Sequence, residues 1–373
     1  MDRLVSVAAP GNAGWVGMNK RFRRGLVVGK FCPLHLGHEL LIARAQLQCD
    51  ELILISYTKP GFAGYSSECR EHWLKARCPV TGIYVIDDER LALLCRVHGV
   101  AARPVPFDTE PDDVHRHFVA WLLGDVLGKK VDAVFTSEDY GDGFAAVLAA
   151  RFGSVVEHVC VDKARRTVPI SGTRIRSSAQ AHRGYLSAEV FASFIPRTCL
   201  LGGESTGKST LAEALASALQ TAWAPEYGRE LWESRQGKLA LEDMVHIGRT
   251  QVAREHALAQ DANEVLICDT TPLTTAFYSH ELFGTVADEL RGLADRTYQI
   301  TFLCAPDFDF VQDGTRQNNA FRLRQHEWYL KQLSAMGIAY VQLEGSQQKR
   351  LAFAASHICR ELGASTRSPT ARR

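Results

Sequence analysis

Short runs of aliphatic and β-branched residues alternate with stretches of helical length from Gly25 almost to the end of the chain. Leu26–Val28, Glu51–Tyr57, Gly82–Ile86, Pro104–Phe107, Val131–Phe135 and Val155–Val161 read as strands, with helices at Gly37–Cys49, Glu68–Arg77, Asp112–Leu127 and Gly143–Phe152 between them. Strands separated by segments long enough for a crossover helix predict a parallel sheet covered by helices. The pattern restarts at Thr198–Leu201, which runs into a helix at Lys208–Leu219, and continues through strands at Val265–Cys268, Tyr298–Leu303 and Ala339–Leu343. The predicted fold class is therefore α/β, with two doubly wound parallel-sheet domains at 25–182 and 197–363. Between them, 183–196 reads as a compact connector, a short helix closed by Pro196. Met1–Arg24 carries Asp2 and a Gly/Pro/Asn-broken middle, so it reads as a flexible tail and not as a signal peptide, with Met18 as an alternative start. The Ser/Thr/Arg-rich 364–373 reads as a disordered tail.

With 373 residues, 46% of them hydrophobic and 23% charged, there is material for two cores. A net charge of +1 argues against a general nucleic-acid binder, which needs many phosphate-neutralising cations. Small anions in local pockets fit better. No apolar run approaches the ~20 residues that span a bilayer. Ten scattered cysteines without a C-x-x-C pair read as reduced thiols, and the cytoplasm is the expected location.

Two phosphate-handling signatures sit on this framework. The first, Gly29-Lys30-Phe31-Cys32-Pro33-Leu34-His35-Leu36-Gly37-His38, places two imidazoles where a strand turns into a helix. Gly37 lets a polyphosphate approach the backbone, and the helix N-terminus adds partial positive charge. His35 and His38 can then hold charge that builds on an α-phosphate as pyrophosphate leaves, so catalysis is positioning and electrostatics. Ile170-Ser171-Gly172-Thr173-Arg174-Ile175-Arg176 supplies hydroxyls for a helix cap and an arginine for a phosphate. For the acceptor, Arg70 suits a phosphate and Trp73 an aromatic base, although a surface arginine and a core tryptophan read equally well. Thr136–Tyr140 follows a strand where open α/β sheets bind ligands, or is a plain polar loop.

The second signature, Gly202-Gly203-Glu204-Ser205-Thr206-Gly207-Lys208-Ser209 with Thr210 after it, is a full phosphate loop between a strand and a helix. Its backbone would cradle ATP phosphates, Lys208 would bridge β and γ, and Ser209 would hold Mg2+. No guanine-reading N-K-x-D and no transporter L-S-G-G-Q motif occurs, which leaves a small-molecule kinase. Asp269 ends an apolar strand, well placed for Mg2+ or the attacking hydroxyl. Glu226, Tyr227 and Arg229 offer a nucleoside contact, with a helix-surface role for Glu226 as the competing reading. Asp313–Arg316 with Arg322 read as a mobile lid over the transferring phosphoryl, or as a solvated loop.

The first half resembles the HxGH nucleotidyltransferase superfamily, with G-x-F-x-P-x-H-x-G-H and I-S-x-T-x-I-R almost unbroken. The resemblance implies that Gly29, Lys30, Phe31, His35, Gly37, His38, Ser171, Thr173 and Arg176 bind ATP, with His35, His38 and Arg176 catalytic. From about Gly25 to the last predicted helix the chain resembles the NadR-type family, on G-K-F-x-P-L-H-x-G-H, the Val161-Asp162-x-x-Arg165 spacing to Gly172, G-G-E-S-x-G-K-S-T, Glu226-Tyr227-Gly228-Arg229, Asp269–Thr275 and D-G-x-R. That family implies a nicotinamide-mononucleotide adenylyltransferase fused to a ribosylnicotinamide kinase. The expected substrates are ribosylnicotinamide, nicotinamide mononucleotide and ATP, with NAD as product, Mg2+ as cofactor, and Lys208 and Asp269 catalytic in the kinase. The resemblance leaves room for a homo-oligomer and for coupling to a nicotinamide-riboside transporter. Some members carry an N-terminal helix-turn-helix domain; about 24 residues precede the first strand here, so no transcriptional role is expected. Two other readings use the same motifs: a pantetheine-phosphate adenylyltransferase/dephospho-coenzyme A kinase fusion, and a nucleotide sensor without turnover.

Overall fold

The computed structural model describes residues 20–365 except Thr81, Asp313 and Thr315. The tail expectations for 1–19 and 366–373 lie outside the described residues. The chain divides between Thr173 and Arg174 into two compact units.

The first unit is built from β1 (Phe22–Gly29), α1 (Leu36–Gln46), β2 (Cys49–Tyr57), α2 (Ser67–Arg77), β3 (Gly82–Ile86), α3 (Asp88–Val97), α4 (Asp112–Trp121), β4 (Ala133–Thr136), α5 (Gly141–Phe152) and β5 (Glu157–Cys160). All strand pairs are parallel, in the order β3-β2-β1-β4-β5. β2 and β3 lie on one side of β1 and β4 on the other, so the chain reverses its winding beside β1, where such sheets open a crevice. β1 starts at Phe22, before the expected Leu26, because Phe22 is buried and packs edge-on against Phe135 at 6.0 Å. Leu26, Ile53, Ile55, Val134, Leu122 and Leu148 belong to the core of this unit.

Pro104–Phe107, expected as a strand, is irregular and joins no sheet. Pro104 and Pro106 have no N–H to give a ladder. The segment is tied down by a side chain instead: Val105 N donates to Asp88 Oδ1 at 3.0 Å. The expected helix at Asp112–Leu127 is α helical only to Trp121, and Leu122–Val126 forms a wider π turn.

Next come α6 (Gly172–Ser177), across the division, and α7 (Ala188–Ala192). The second unit continues with β6 (Arg197–Gly202), α8 (Lys208–Ala218), β7 (Trp223–Ala224), α9 (Tyr227–Ser234), α10 (Leu241–Ala259), β8 (Leu266–Asp269), α11 (Pro272–Phe283), α12 (Asp288–Ala294), β9 (Ile300–Cys304), α13 (Asn319–Ala335), β10 (Val341–Leu343) and α14 (Gln347–Ser365). Its five strands are again all parallel, ordered β10-β9-β6-β8-β7. β6, the strand that enters the phosphate loop, is central, and its neighbours β8 and β9 end beside the loop. The connector segment folds onto this unit: Glu189 Oε2 accepts from Gln260 Nε2 at 2.8 Å, and Arg183 donates to the carbonyl of Ala262 at 3.4 Å. Among the described residues no helix is long and apolar enough to cross a membrane.

Candidate active sites

In the first unit His35 is the N-cap of α1. Its Nδ1 accepts from Gly37 N at 3.1 Å and His38 N at 3.4 Å, satisfying two of the helix's orphan donors. An acceptor at Nδ1 puts the ring proton on Nε2, so the imidazole presents a donor. A Cβ on Gly37 would stand 3.0 Å from His35 Cε1 and crowd the capping ring. The His38 ring stacks on His35 with centroids 3.7 Å apart at 20°, and lies edge-on to Phe31 at 5.0 Å. His38 Nδ1 is buried with no hydrogen-bond partner.

Burial, then the cation of Arg165, lowers the His35 pKa from 6.5 to about 4. Burial, then His35 and Arg165, drives His38 the same way. Both rings are therefore neutral donors at neutral pH. Arg165 is not singled out by either motif, although it stands in the Val161-Asp162-x-x-Arg165 spacing. Asp162 builds the loop that presents it by accepting from Arg166 N at 2.9 Å and Thr167 N at 3.1 Å. Arg165 itself bonds Ile170 O at 3.4 Å and pairs with Glu138 at 3.3 Å.

The lowered pKa makes a stability prediction. Between pH about 6.5 and about 4 the unfolded chain takes up a proton at His35 that the folded chain does not. Stability is thus full above that window and falls as pH drops through it, by ~3 kcal/mol at most. Asn caps helices well, so in urea melts His35→Asn should keep the fold and flatten this slope relative to the parent. A variant slope equal to the parent's would show that His35 does not titrate this way.

The remaining residues of the first site are placed as follows. Lys30 Nζ pairs with Asp108 at 3.0 Å, and Phe31 is buried with φ 49°, serving as packing for the histidines. Ser171 precedes α6, Thr173 stands in its first turn and Arg176 near its end, beyond the division between the units. Thr136 donates to the Glu138 carbonyl at 2.8 Å and meets His158 Nε2 at 2.8 Å, shaping the loop whose Glu138 pairs with Arg165.

A cavity of about 400 Å3 opens beside this site, lined by Thr58, Phe62, Tyr65, Arg70, Asp87, Phe107 and others. Arg70 is 2% exposed, bonds only neutral oxygens (Ser56 Oγ at 2.8 Å, Ser67 Oγ at 3.1 Å, Lys30 O at 3.5 Å), and leaves Nε without a partner. Asp87 and Asp108 lie close enough to act on its charge, but none of these hydrogen bonds goes to a carboxylate, and a buried guanidinium so placed favours an anion. Trp73 is fully buried behind Tyr65, rings 6.0 Å apart, and is not on the cavity wall. The aromatic surface that a base meets first is Phe62, Tyr65 and Phe107, and Trp73 becomes available only if Tyr65 moves.

In the second unit the phosphate loop leaves β6 at Gly202 and enters α8 at Lys208. Gly207, the N-cap, has φ 74°, a conformation that favours glycine. Lys208 Nζ donates to Gly203 O at 2.9 Å and Thr206 Oγ1 to the same oxygen at 2.7 Å. Ser209 and Thr210 occupy the first turn of α8. Asp269 ends β8, is 2% exposed, shares a hydrogen bond with Ser209, and has Oδ1 buried without a hydrogen-bond partner. Burial raises its pKa above the usual carboxylate value; for Glu226, the N-cap residue of α9, burial and the neighbouring Asp269 do the same, while Lys208 opposes the shift in both.

Two loop side chains do more than the motif implies. Glu204 Oε1 accepts from Tyr278 OH at 3.0 Å and Oε2 from Gln317 N at 2.7 Å, and Ser205 Oγ accepts from Val311 N at 2.9 Å. Tyr227 is held on a helix face, with OH 3.0 Å from His246 Nε2 and the Arg254 guanidinium over its ring. Arg229 lies 3.8 Å from Glu226. Arg322 departs from the lid expectation: it is 4% exposed on α13 and donates to Phe308 O at 2.8 Å, so helix packing fixes it. Arg316 bonds back to Val311 O within its own segment. Asp313 and Thr315 lie outside the described residues.

Proteins similar to this chain span both units. The AAA domain family model matches residues 197–350. The trifunctional NAD biosynthesis/regulator protein NadR of Escherichia coli (strain K12) is 29% identical over 338 residues, covering 86% of this chain and 78% of that protein. The chain is similar to NadR-type proteins along most of its length. NadR of Salmonella typhimurium (strain LT2) is also 29% identical, covering 78% of this chain and 71% of that one. Crystal structures of a NadR protein with NR and of one with NAD and AMP-PNP share the fold, with TM-scores of 0.61 and 0.60, identities of 20% and 19%, and coverage of 91% and 94% of this chain and 96% and 98% of theirs. The NadR-type fold thus takes in both units, and the imidazole turn and the glycine loop belong to one architecture.

Proposed function

We propose that this protein is a bifunctional NAD salvage enzyme. The second unit phosphorylates ribosylnicotinamide with MgATP to nicotinamide mononucleotide; the first joins that product to AMP from a second ATP, releasing pyrophosphate and NAD. The observation that supports this reading is the presence, in a chain similar to NadR, of two separate turns with different donors, each suited to an anion: stacked imidazoles after β1, and a lysine-tipped glycine loop at the end of β6. The cytoplasm is the proposed location, with uptake of ribosylnicotinamide as the supply step.

In adenylyl transfer the acceptor phosphate sits near Arg70 and attacks the α-phosphorus. His35 Nε2–H and the His38 ring donate to the oxygens on which charge grows, with Ser171 and Thr173 assisting. Lys30, freed from Asp108, meets the polyphosphate. No proton need pass to the protein, because the attacking group is already an anion.

In phosphoryl transfer Lys208 turns from Gly203 O to the β- and γ-phosphates, and Glu226 holds sugar hydroxyls. Ser209 and Asp269 fit Mg2+, since a hydroxyl and a buried, unpartnered carboxylate oxygen are the hard donors that ion selects. When bound, Mg2+ would neutralise charge between the β- and γ-phosphates. Asp269 must ionise to serve, and its raised pKa means that it does so at a higher pH than an ordinary aspartate. The acid limb of kinase kcat/KM should therefore lie above the normal aspartate range and shift to lower pH as Mg2+ is raised. A limb insensitive to Mg2+ would remove Asp269 from this role.

The direct test is turnover by the purified chain: ribosylnicotinamide-dependent ADP formation, and nicotinamide-mononucleotide-dependent pyrophosphate release. A kinase that ignores ribosylnicotinamide but accepts other nucleosides would refute the substrate assignment.

A further inference from the structure

The phosphate loop is held from behind by the last helix. Arg350, one turn into α14, is 1% exposed, and its guanidinium donates from Nε to Gly345 O at 3.0 Å, from Nη1 to Thr206 O at 3.0 Å and from Nη2 to Ala305 O at 2.9 Å. It also pairs with Asp307 and lies 4.4 Å from the Phe308 ring centroid. Gln347, the first residue of α14, donates from Nε2 to Gly207 O at 3.0 Å. Two consecutive carbonyls of the loop are thus gripped by side chains 144 and 140 residues further along the chain.

A trans peptide is planar, with its C=O and N–H pointing in opposite directions. Drawing the Thr206 carbonyl toward Arg350 aims the Gly207 N–H to the other side of the loop. Holding the Gly207 carbonyl on Gln347 does the same for the Lys208 N–H. Those N–H groups are the donors on which a phosphate loop depends. The fit is close: a Cβ on Gly207 would stand 2.9 Å from Gln347 Oε1.

We propose that Arg350 and Gln347 are positioning residues for phosphoryl transfer, orienting the Gly207 and Lys208 amides toward the nucleotide phosphates without touching them. This rests on the kinase reading given above. It assigns to α14 a part in ATP binding that the loop motif does not contain, and it explains why a buried cation stands where an aliphatic residue would fill the space.

The test uses the full chain with Gln347→Met, which keeps shape and loses the donor, and Arg350→Lys, which keeps charge and loses the fork. Each should raise the KM for ATP by about tenfold, the loss expected for one or two oriented hydrogen bonds. The KM for the nucleoside, the adenylyltransferase rate and the ligand-free melting temperature of Gln347→Met should be unchanged. Calorimetry with MgADP should show the same weakening. If both variants bind MgADP as the parent does, the inference is overturned; the same holds if ATP and nucleoside KM values move together. If the parent protein does not phosphorylate ribosylnicotinamide, the kinase reading falls, while MgADP binding still decides the role of Arg350 and Gln347.

Discussion

Lys208→Ala should abolish ribosylnicotinamide phosphorylation, by about a thousandfold or more, and leave adenylylation of nicotinamide mononucleotide within about twofold of the parent. The loss has two sources. The ammonium that would bridge the β- and γ-phosphates is gone. In addition, Lys208 is a nearby cation opposing the raised pKa values of Asp269 and Glu226, so its removal pushes both carboxyls further toward the protonated form and weakens the proposed metal site. Because of that second effect, raising Mg2+ or pH should restore a small part of the activity of the variant. Pyrophosphate release with nicotinamide mononucleotide and ADP release with ribosylnicotinamide separate the two reactions in one preparation. Loss of both in a chain whose melting temperature is unchanged would overturn the two-site assignment.

The mirror experiment is His38→Ala, expected to reduce adenylyl transfer by a factor of about a hundred to a thousand while sparing the kinase. His38 makes no hydrogen bond through Nδ1; its ring is held by stacking on His35 at 3.7 Å, by the edge of Phe31 and by a hydrogen bond to the Pro33 backbone, so truncation removes a donor, a packing partner and that one bond. His35 needs a different substitution, because it also caps α1. His35→Asn should retain the cap and lose the reach to phosphate, giving a folded, transfer-deficient protein. Wild-type transfer rates in either variant would show that the imidazoles are bystanders.

Both candidate anion sites are legible in the sequence because each is built largely from one contiguous turn. A strand that ends in glycine and runs into a helix makes its own N–H cradle, and the residues that set it, His35 and Gly37 in one unit, Gly207 and Lys208 in the other, lie next to one another in the chain. The partners that tune these turns are not legible. Arg165 acts on the histidines from the loop after β5, Asp108 pairs with Lys30 from an irregular segment, and Asp269 acts on Glu226 from the end of a different strand. Arg322 reads as a lid residue because its sequence neighbours suggest a loop, whereas α13 begins three residues before it. Trp73 reads as a stacking surface for a related reason: a helix pattern says which residues share a face, not which aromatic ring lies outermost over a cavity.

Hydrophobic period and local backbone chemistry suffice to establish the α/β class, the doubly wound plan of both sheets, most of the strands and the two candidate phosphate-binding turns, since each of these is written within a short stretch of residues. Other properties emerge only when distant segments pack together: the charges that surround each turn, the neutrality of the imidazoles, the burial of Arg70 on neutral hydrogen-bond acceptors, and the grip of α14 on the phosphate loop. They depend on the exclusion of solvent and on contacts across the chain, which no local pattern of residues carries.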